Sequence, residues 1–207
     1  ETIIAGAAAS QKKVSEFAKD NNISGLEFMS CIPGSIGGGI RMNSGCFKKE
    51  FKDFLISIQV VDFKGLVRSI PANKISFNYR SIELPKDLIF LSATFKGKQK
   101  NSEEINNYMT ELNTIKNMAQ PTKIKTSGST FKNPISQTDK KVWELIKSSV
   151  SHEISYGDAV ISKKHANFFV NKKNAKAADM KSLINFVKKK VKDQTGIKLE
   201  LEIVVVE

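Results

Sequence analysis

Histidine, cysteine and tryptophan are nearly absent from this sequence of 207 residues, which holds two, two and one of them. His152 and His165 are too sparse for a zinc site of ordinary ligand spacing, so no metal is expected. Cys31 and Cys46 cannot build a disulfide framework and lie outside any CxxC pattern, so they read as reduced thiols of a cytoplasmic protein. No apolar run approaches the roughly 20 residues that a membrane span needs, which argues against membrane insertion. Only three tyrosines accompany the single tryptophan, leaving few rings for stacking on bases. The 13 phenylalanines mostly fall at apolar periodic positions instead. A basic stripe interleaved with aromatics would mark a nucleic-acid binder. It is missing, and no nucleic-acid partner is expected despite a net charge of +12. Many lysines, such as Lys181, Lys188, Lys189, Lys190 and Lys192, read as the solvated face of a helix. With 40% hydrophobic residues the chain can bury a true core. It opens at Glu1 on an apolar run that reads as the end of a strand, so more chain is expected upstream.

What is present is polar loop chemistry. Thr126-Ser127-Gly128-Ser129-Thr130-Phe131-Lys132-Asn133-Pro134 places hydroxyls around a glycine and then a lysine. Gly128 allows close backbone approach, Ser129 can donate and accept a hydrogen bond, and Lys132 offers a charge suited to phosphate. Taken alone, the stretch also reads as an ordinary turn-rich loop. Five glycines fall between positions 34 and 45. No Gly-Lys-Ser/Thr follows, so this is not a Walker loop, and Met42 stands where a Rossmann fingerprint needs its third glycine. Backbone N–H groups aimed at an anion are one use for such a stretch, and a tight turn is another.

Along the chain, Ser10 reads as the N-cap of a helix with Val14, Phe17 and Ala18 on one face. Residues 54–70 read as a hairpin with Ile56, Ile58 and Val60 inward and Asp62–Gly65 as the turn. Residues 88–95 read as a strand. A helix is expected from Ser102 to about Ala119, with Glu103 and Glu104 favourably placed against its dipole. A short helix over 142–146, strands over 159–161 and 166–171, and an amphipathic helix over 178–192 ended by Gly196 follow. Residues 199–206 read as the final strand.

Several stretches in order resemble one family: Gly25-Leu26-Glu27-Phe28, Ile32-Pro33-Gly34-Ser35-Ile36-Gly37-Gly38, Met42-Asn43-Ser44-Gly45, Phe77-Asn78-Tyr79-Arg80-Ser81, Gln120-Pro121, Gly128 to Pro134, Lys164-His165-Ala166-Asn167-Phe168, and Gly196 to Glu202. Together they resemble the UDP-N-acetylenolpyruvoylglucosamine reductases, flavoenzymes of peptidoglycan synthesis. The match covers essentially the whole chain. It implies an α+β fold with an FAD-binding module of the vanillyl-alcohol-oxidase type, incomplete here, plus a smaller substrate-binding subdomain. The implied boundaries are 1–118 for the FAD module, 119–197 for the substrate subdomain, and 198–207 for a C-terminal strand returning to the FAD module. The resemblance also implies an upstream lobe of roughly 80 to 90 residues. The spacing between Tyr79 and Pro121 suggests the shorter subclass, which lacks an additional tyrosine-bearing loop.

The resemblance assigns roles residue by residue. Arg80 matches the arginine that steadies the substrate carboxylate, Ser129 the proton donor, and Glu202 the glutamate at the substrate carboxyl. Ser35, Gly37, Gly38 and Asn43 are the expected flavin contacts, and Tyr79, Lys132, Asn133 and His165 the expected substrate contacts. FAD and NADPH are the implied cofactors, a UDP-sugar the substrate, and a monomer the expected state. Read without the resemblance, Arg80 also fits a surface ion pair, Glu202 the outward position of an alternating strand, and His165 a packing histidine. The rival functions are another oxidoreductase on the same flavin scaffold and a catalytically inactive fragment.

Overall fold

The structure, a computed structural model, describes residues 1–121 and 124–206. The chain divides into two compact units, Glu1–Lys116 and Asn117–Glu207. The mixture of helices with antiparallel sheets makes each unit α+β.

The first unit is built on a four-stranded antiparallel sheet in the order Thr2–Gly6, Ile89–Lys96, Leu55–Val61, Val67–Pro71. The expected hairpin is its outer half. Asp62 shapes the turn by accepting from the N–H groups of Lys64 and Leu66, both at 3.0 Å. Ile58 and Val60 are buried as expected, but Ile56 is exposed. A register shift between Leu55 and Ser57 breaks the strict alternation, so Leu55 takes the inward place.

Helix α1, Gln11–Asp20, begins where Ser10 accepts from the Lys13 N–H at 3.2 Å. Val14 and Ala18 are buried, whereas Phe17, expected on the same face, is 56% exposed. The glycine-rich stretch is not wholly loop: Ile36–Arg41 forms a short helix, α2, with Ile36 and Ile40 buried. Its start docks on the end of the first strand, through Ile36 N–H to the Ala9 carbonyl (2.8 Å) and Gly37 N–H to the Ala7 carbonyl (2.9 Å). Helix α3, Ser102–Ala119, matches its expected bounds, and its residues from Asn117 onward fall in the second unit.

Phenylalanines form the centre of this core. Phe51 packs edge-on against Phe28 and Phe95, with centroids 6.1 and 5.5 Å away, and Phe28 stacks on Phe54. Gly39 faces the Phe51 ring so closely that a Cβ there would lie 2.3 Å from Phe51 Cζ. That explains one glycine of the rich stretch by packing rather than by a ligand.

The second unit carries a four-stranded antiparallel sheet in the order Thr126–Ser129, Phe168–Asn171, Ala159–Ile161, Ser155–Tyr156. Helices α4, Val142–Ser149, and α5, Ala177–Thr195, pack on it. Helix α5 buries Leu183, Ile184, Val187 and Val191, the expected apolar face, and Gly196 caps it at φ 75°. The expected final strand is reduced to one antiparallel bridge, Phe131 with Leu201. Leu199, Leu201 and Ile203 nevertheless pack in the core of this unit.

Substituting Gly39→Ala should overpack the Phe51 contact and destabilise the protein by about 1–3 kcal/mol. Urea denaturation reads this as a lower midpoint. An unchanged midpoint would show that the ring moves aside without cost.

Candidate functional site

Two groups of the expected site residues are each built within one unit. In the first unit, Tyr79 and Arg80 form the turn between the antiparallel strands Ser76–Asn78 and Ser81–Glu83. Arg80 sits at φ 56°, in the left-handed region. A non-glycine residue there costs of order 1 kcal/mol or more and persists only when its surroundings hold it. Here the holders are visible. The Arg80 guanidinium lies 5.0 Å from the centre of the Tyr79 ring and donates to the Gly45 carbonyl at 3.0 Å. Asn43, fully buried, braces the same turn: its Nδ2 donates to the Asn78 carbonyl (3.2 Å) and to Glu50 Oε2 (3.0 Å), and its Oδ1 accepts from the Lys52 N–H (3.1 Å). The amide of Asn43 is thus engaged within the protein and braces the residue before the turn that carries Arg80.

Ser35, Gly37 and Gly38 are likewise internally engaged. Ser35 Oγ caps α2 by accepting from the Gly38 N–H at 3.2 Å, and the Gly37 N–H is taken by Ala7. The expectation of glycine N–H groups aimed at a ligand therefore does not describe this turn. What the turn does offer is a bare surface. Gly34 and Gly38 are exposed, and a Cβ on Gly38 would meet nothing nearer than Ser35 Oγ at 3.5 Å.

In the second unit, the strand through Ser129 is held from both sides. Gly128, at φ 86°, turns the backbone at the irregularity between Thr126 and Ser129. This is a conformation that glycine adopts without a steric cost. On one side, Asn167 is a substitute strand. Its Nδ2 donates to the Phe131 carbonyl (2.8 Å), its Oδ1 accepts from the Phe131 N–H (3.0 Å), and its own carbonyl accepts from the Thr130 N–H (2.8 Å). On the other side, the Glu202 N–H donates to the Thr130 carbonyl and the Lys132 N–H to the Glu200 carbonyl, both at 2.9 Å. Ser129, Lys132 and Glu202 are thereby brought together from distant parts of the sequence. The buried Thr130 hydroxyl lies among them with no hydrogen-bond partner among the described residues. Asn133 caps α4, with its Oδ1 accepting from the Val142 N–H at 3.0 Å.

His165 joins this group through Asn167, whose N–H donates to its Nδ1 at 3.2 Å. The ring packs edge-on against Phe168 at 4.8 Å and nears Trp143 at 6.4 Å. Burial holds its pKa below the usual 6.5, against a smaller opposing effect of the backbone hydrogen bond. Its open edge lines a cavity of about 320 Å³, shared with Trp143, Lys147, His152, Lys163 and Lys164. Three lysines line this small space, with the Lys164 ammonium donating to the Asn117 carbonyl, and their positive charge suits an anionic group. Lys147, Lys163 and His152 carried no sequence signal, because residues this common gain meaning only once the fold gathers them. Among the described residues, no group of three or more His, Cys, Asp or Glu could hold a metal ion.

Comparisons with known proteins place both units of the chain among described families. A family model described as "UDP-N-acetylenolpyruvoylglucosamine reductase, C-terminal domain" matches residues 120–206, and one described as "FAD binding domain" matches residues 1–70. The UDP-N-acetylenolpyruvoylglucosamine reductase of Pelagibacter ubique is 63% identical over 98% of this chain and 67% of its own length. The protein of the same name from Rickettsia bellii is 44% identical over 97% of the chain and 66% of its own length.

The chain belongs to the UDP-N-acetylenolpyruvoylglucosamine reductase family. It spans about two thirds of the length of these curated relatives. The solved structure of the Thermus caldophilus reductase superposes with a TM-score of 0.84 at 31% identity, covering 97% of this chain and 71% of that one. The α+β fold with an FAD-binding module is therefore the fold of this family, as the motifs implied.

Two outcomes follow from the geometry. Asn167→Ala should leave the N–H and carbonyl of buried Phe131 unpaired and cost about 2–4 kcal/mol, read by urea denaturation. A loss well below 1 kcal/mol would mean that the strand does not depend on this amide. For His165, the unfolded chain takes up a proton first as pH falls below about 6.5. The contribution of the neutral buried ring to stability is thus fully present above that pH and lost below it. Denaturation of wild type and His165→Gln between about pH 7 and pH 5 should show a steeper decline for the wild type. Parallel declines would place the ring in free solvent.

Proposed function

We propose that this chain is the main part of a reductase that converts the enolpyruvyl ether of UDP-N-acetylglucosamine to UDP-N-acetylmuramate, with NADPH as reductant. The protein would act in the cytoplasm as a monomer. The single observation that supports the site assignment is the Phe131–Leu201 bridge, which lays the segments carrying Ser129 and Glu202 side by side. A coincidental resemblance of separate motifs would have no reason to bring them together.

FAD fits the first unit through the bare Ser35–Gly38 turn, where Gly34 and Gly38 leave the backbone open to close approach. FAD bound there would supply hydride chemistry toward the enolpyruvyl group, with NADPH as the source of reducing equivalents. Residues 1–118 take the cofactor role in this reading, and 119–197 the binding of the nucleotide sugar, with 198–207 supplying Glu202.

The residues of the chain then meet two demands. Charge builds on the carbon bearing the carboxylate, and Arg80 offers a rigid guanidinium fork for that carboxylate. Its strained, clamped turn means that little ordering remains to be done when substrate arrives. Glu202 would serve at the same carboxyl, best in its protonated form. Ser129 donates the proton that completes the reduction. A serine hydroxyl is a weak acid, so its neighbours must stabilise the alkoxide or relay a proton. Lys132, Asn133, Tyr79 and His165 would hold the nucleotide sugar, whose phosphates suit the lysine-lined cavity beside His165.

The test is anaerobic stopped-flow on the full-length protein, followed through its flavin absorbance. Substrate should reoxidise NADPH-reduced flavin and yield UDP-N-acetylmuramate. Ser129→Ala should slow that step by about 10²–10⁴-fold while leaving reduction by NADPH nearly unchanged. Reoxidation by oxygen alone would point to another oxidoreductase, and equal slowing of both steps would remove Ser129 from the proton-donor role.

A further inference from the structure

The two cysteines lie fifteen positions apart in sequence, yet the fold makes them neighbours. Residues Glu27–Cys31 form a single 3-10 helix, in which positions i and i+3 eclipse one another. Phe28 and Cys31 are such a pair. Cys46 ends the short strand Gly45–Cys46, and its Sγ donates to the Phe28 carbonyl at 3.3 Å. That contact sets the Cys46 sulfur against the turn that carries Cys31, since the Phe28 carbonyl of a 3-10 helix faces the N–H of residue 31. Both are free thiols. Ser30 Oγ lies 3.7 Å from the Cys31 sulfur, and Ser30 is itself tied to α3 by Asn113 Nδ2 at 3.0 Å. Lys116, also on α3, donates through Nζ to the Cys31 carbonyl.

We propose that Cys31 and Cys46 form an oxidative modification site, a dithiol that hydrogen peroxide converts to an intrachain disulfide. The step balances with peroxide as the only oxidant. The Cys31 thiolate attacks one peroxide oxygen, the O–O bond breaks, and the departing hydroxide takes up a proton as water. The Cys46 sulfur then displaces the hydroxyl from the Cys31 sulfenic acid, forming the S–S bond and a second water. Two thiols lose two electrons and two protons, and one peroxide becomes two waters.

The surroundings divide the two roles. The neighbouring Cys46 thiol, helped by Ser30 and by the charge of Lys116 against the opposing effect of burial, lowers the Cys31 thiol to about 6, which favours its thiolate. The neighbouring Cys31 and burial push Cys46 the other way. Cys31 is 4% exposed and Cys46 half-buried, so only an oxidant as small as peroxide suits the pair. The disulfide would tie the 3-10 helix to the strand whose Gly45 carbonyl holds Arg80. Oxidation would thus stiffen or shift the anchor of that turn. The inference rests on the geometry of the first unit alone and stands apart from the reductase reading.

The experiment treats the folded full chain with a small excess of hydrogen peroxide, blocks remaining thiols with an alkylating agent under denaturing conditions, and maps the non-reduced digest by mass spectrometry. The expected result is a peptide linking Cys31 to Cys46, lighter by two hydrogen atoms than its parts and separated by dithiothreitol, with free thiols falling from two per chain to none. In Cys46→Ser the oxidation should stop at a Cys31 sulfenic acid that dimedone traps. Should that variant not fold, the wild-type map still decides. Unmodified thiols, sulfinic acid on Cys46 with Cys31 untouched, or a disulfide joining two copies would each overturn the proposal.

Discussion

The second unit depends on one buried amide. Asn167 presents a donor and an acceptor to the same residue, Phe131, and so does the work of a paired strand for a segment that has left the ladder. Phe131 is 1% exposed, so its backbone polar groups have no water to turn to. Without that amide, the backbone bond from the Thr130 N–H to the Asn167 carbonyl would have to hold this side of the run with both polar groups of Phe131 unpaired. Ser129, Lys132 and Glu202 keep their places because Asn167 keeps Phe131 in its own. The same residue orients His165 through its N–H, so one asparagine couples two parts of the candidate site.

The first unit shows the same logic at Asn43. Its buried amide satisfies the carbonyl before the Tyr79–Arg80 turn and anchors Glu50 and Lys52 nearby. The turn it braces contains no glycine, although one of its two residues adopts a left-handed conformation. Arg80 is held there by the Tyr79 ring and the Gly45 carbonyl together. A residue in a costly conformation with several independent supports is what preorganisation of a charged group looks like in backbone terms. The glycine-rich stretch contributes differently: Gly39 makes room for Phe51, and Gly37 lets α2 sit against the first strand.

Where hydrophobic period and capping residues agreed, the sequence was readable. Ser102 to Ala119, the hairpin around Asp62–Gly65 and the apolar face ending at Gly196 all follow from local rules. Phe17 and Ile56 broke their patterns for separate reasons. Phe17 lies on the helix flank away from the core, and the register shift before Ser57 moves Leu55 inward at the expense of Ile56. Residues 199–206 alternate like a strand but pair with Thr130–Lys132 around Leu201, through the Glu200 carbonyl and the Glu202 N–H.

The order of motifs, the Asp62–Gly65 turn and the Gly196 helix stop were determined by the sequence alone, since each depends on side chains close together in the chain. The tertiary structure decided what needed long-range partners. It set Ser129 beside Glu202, gathered Lys147, Lys163 and Lys164 around one cavity, committed the amide of Asn43 to the protein, and brought Cys31 to Cys46. Local propensity can say that a residue is polar and near a turn. Only the packed fold decides which distant group meets it, and whether burial leaves it any other partner.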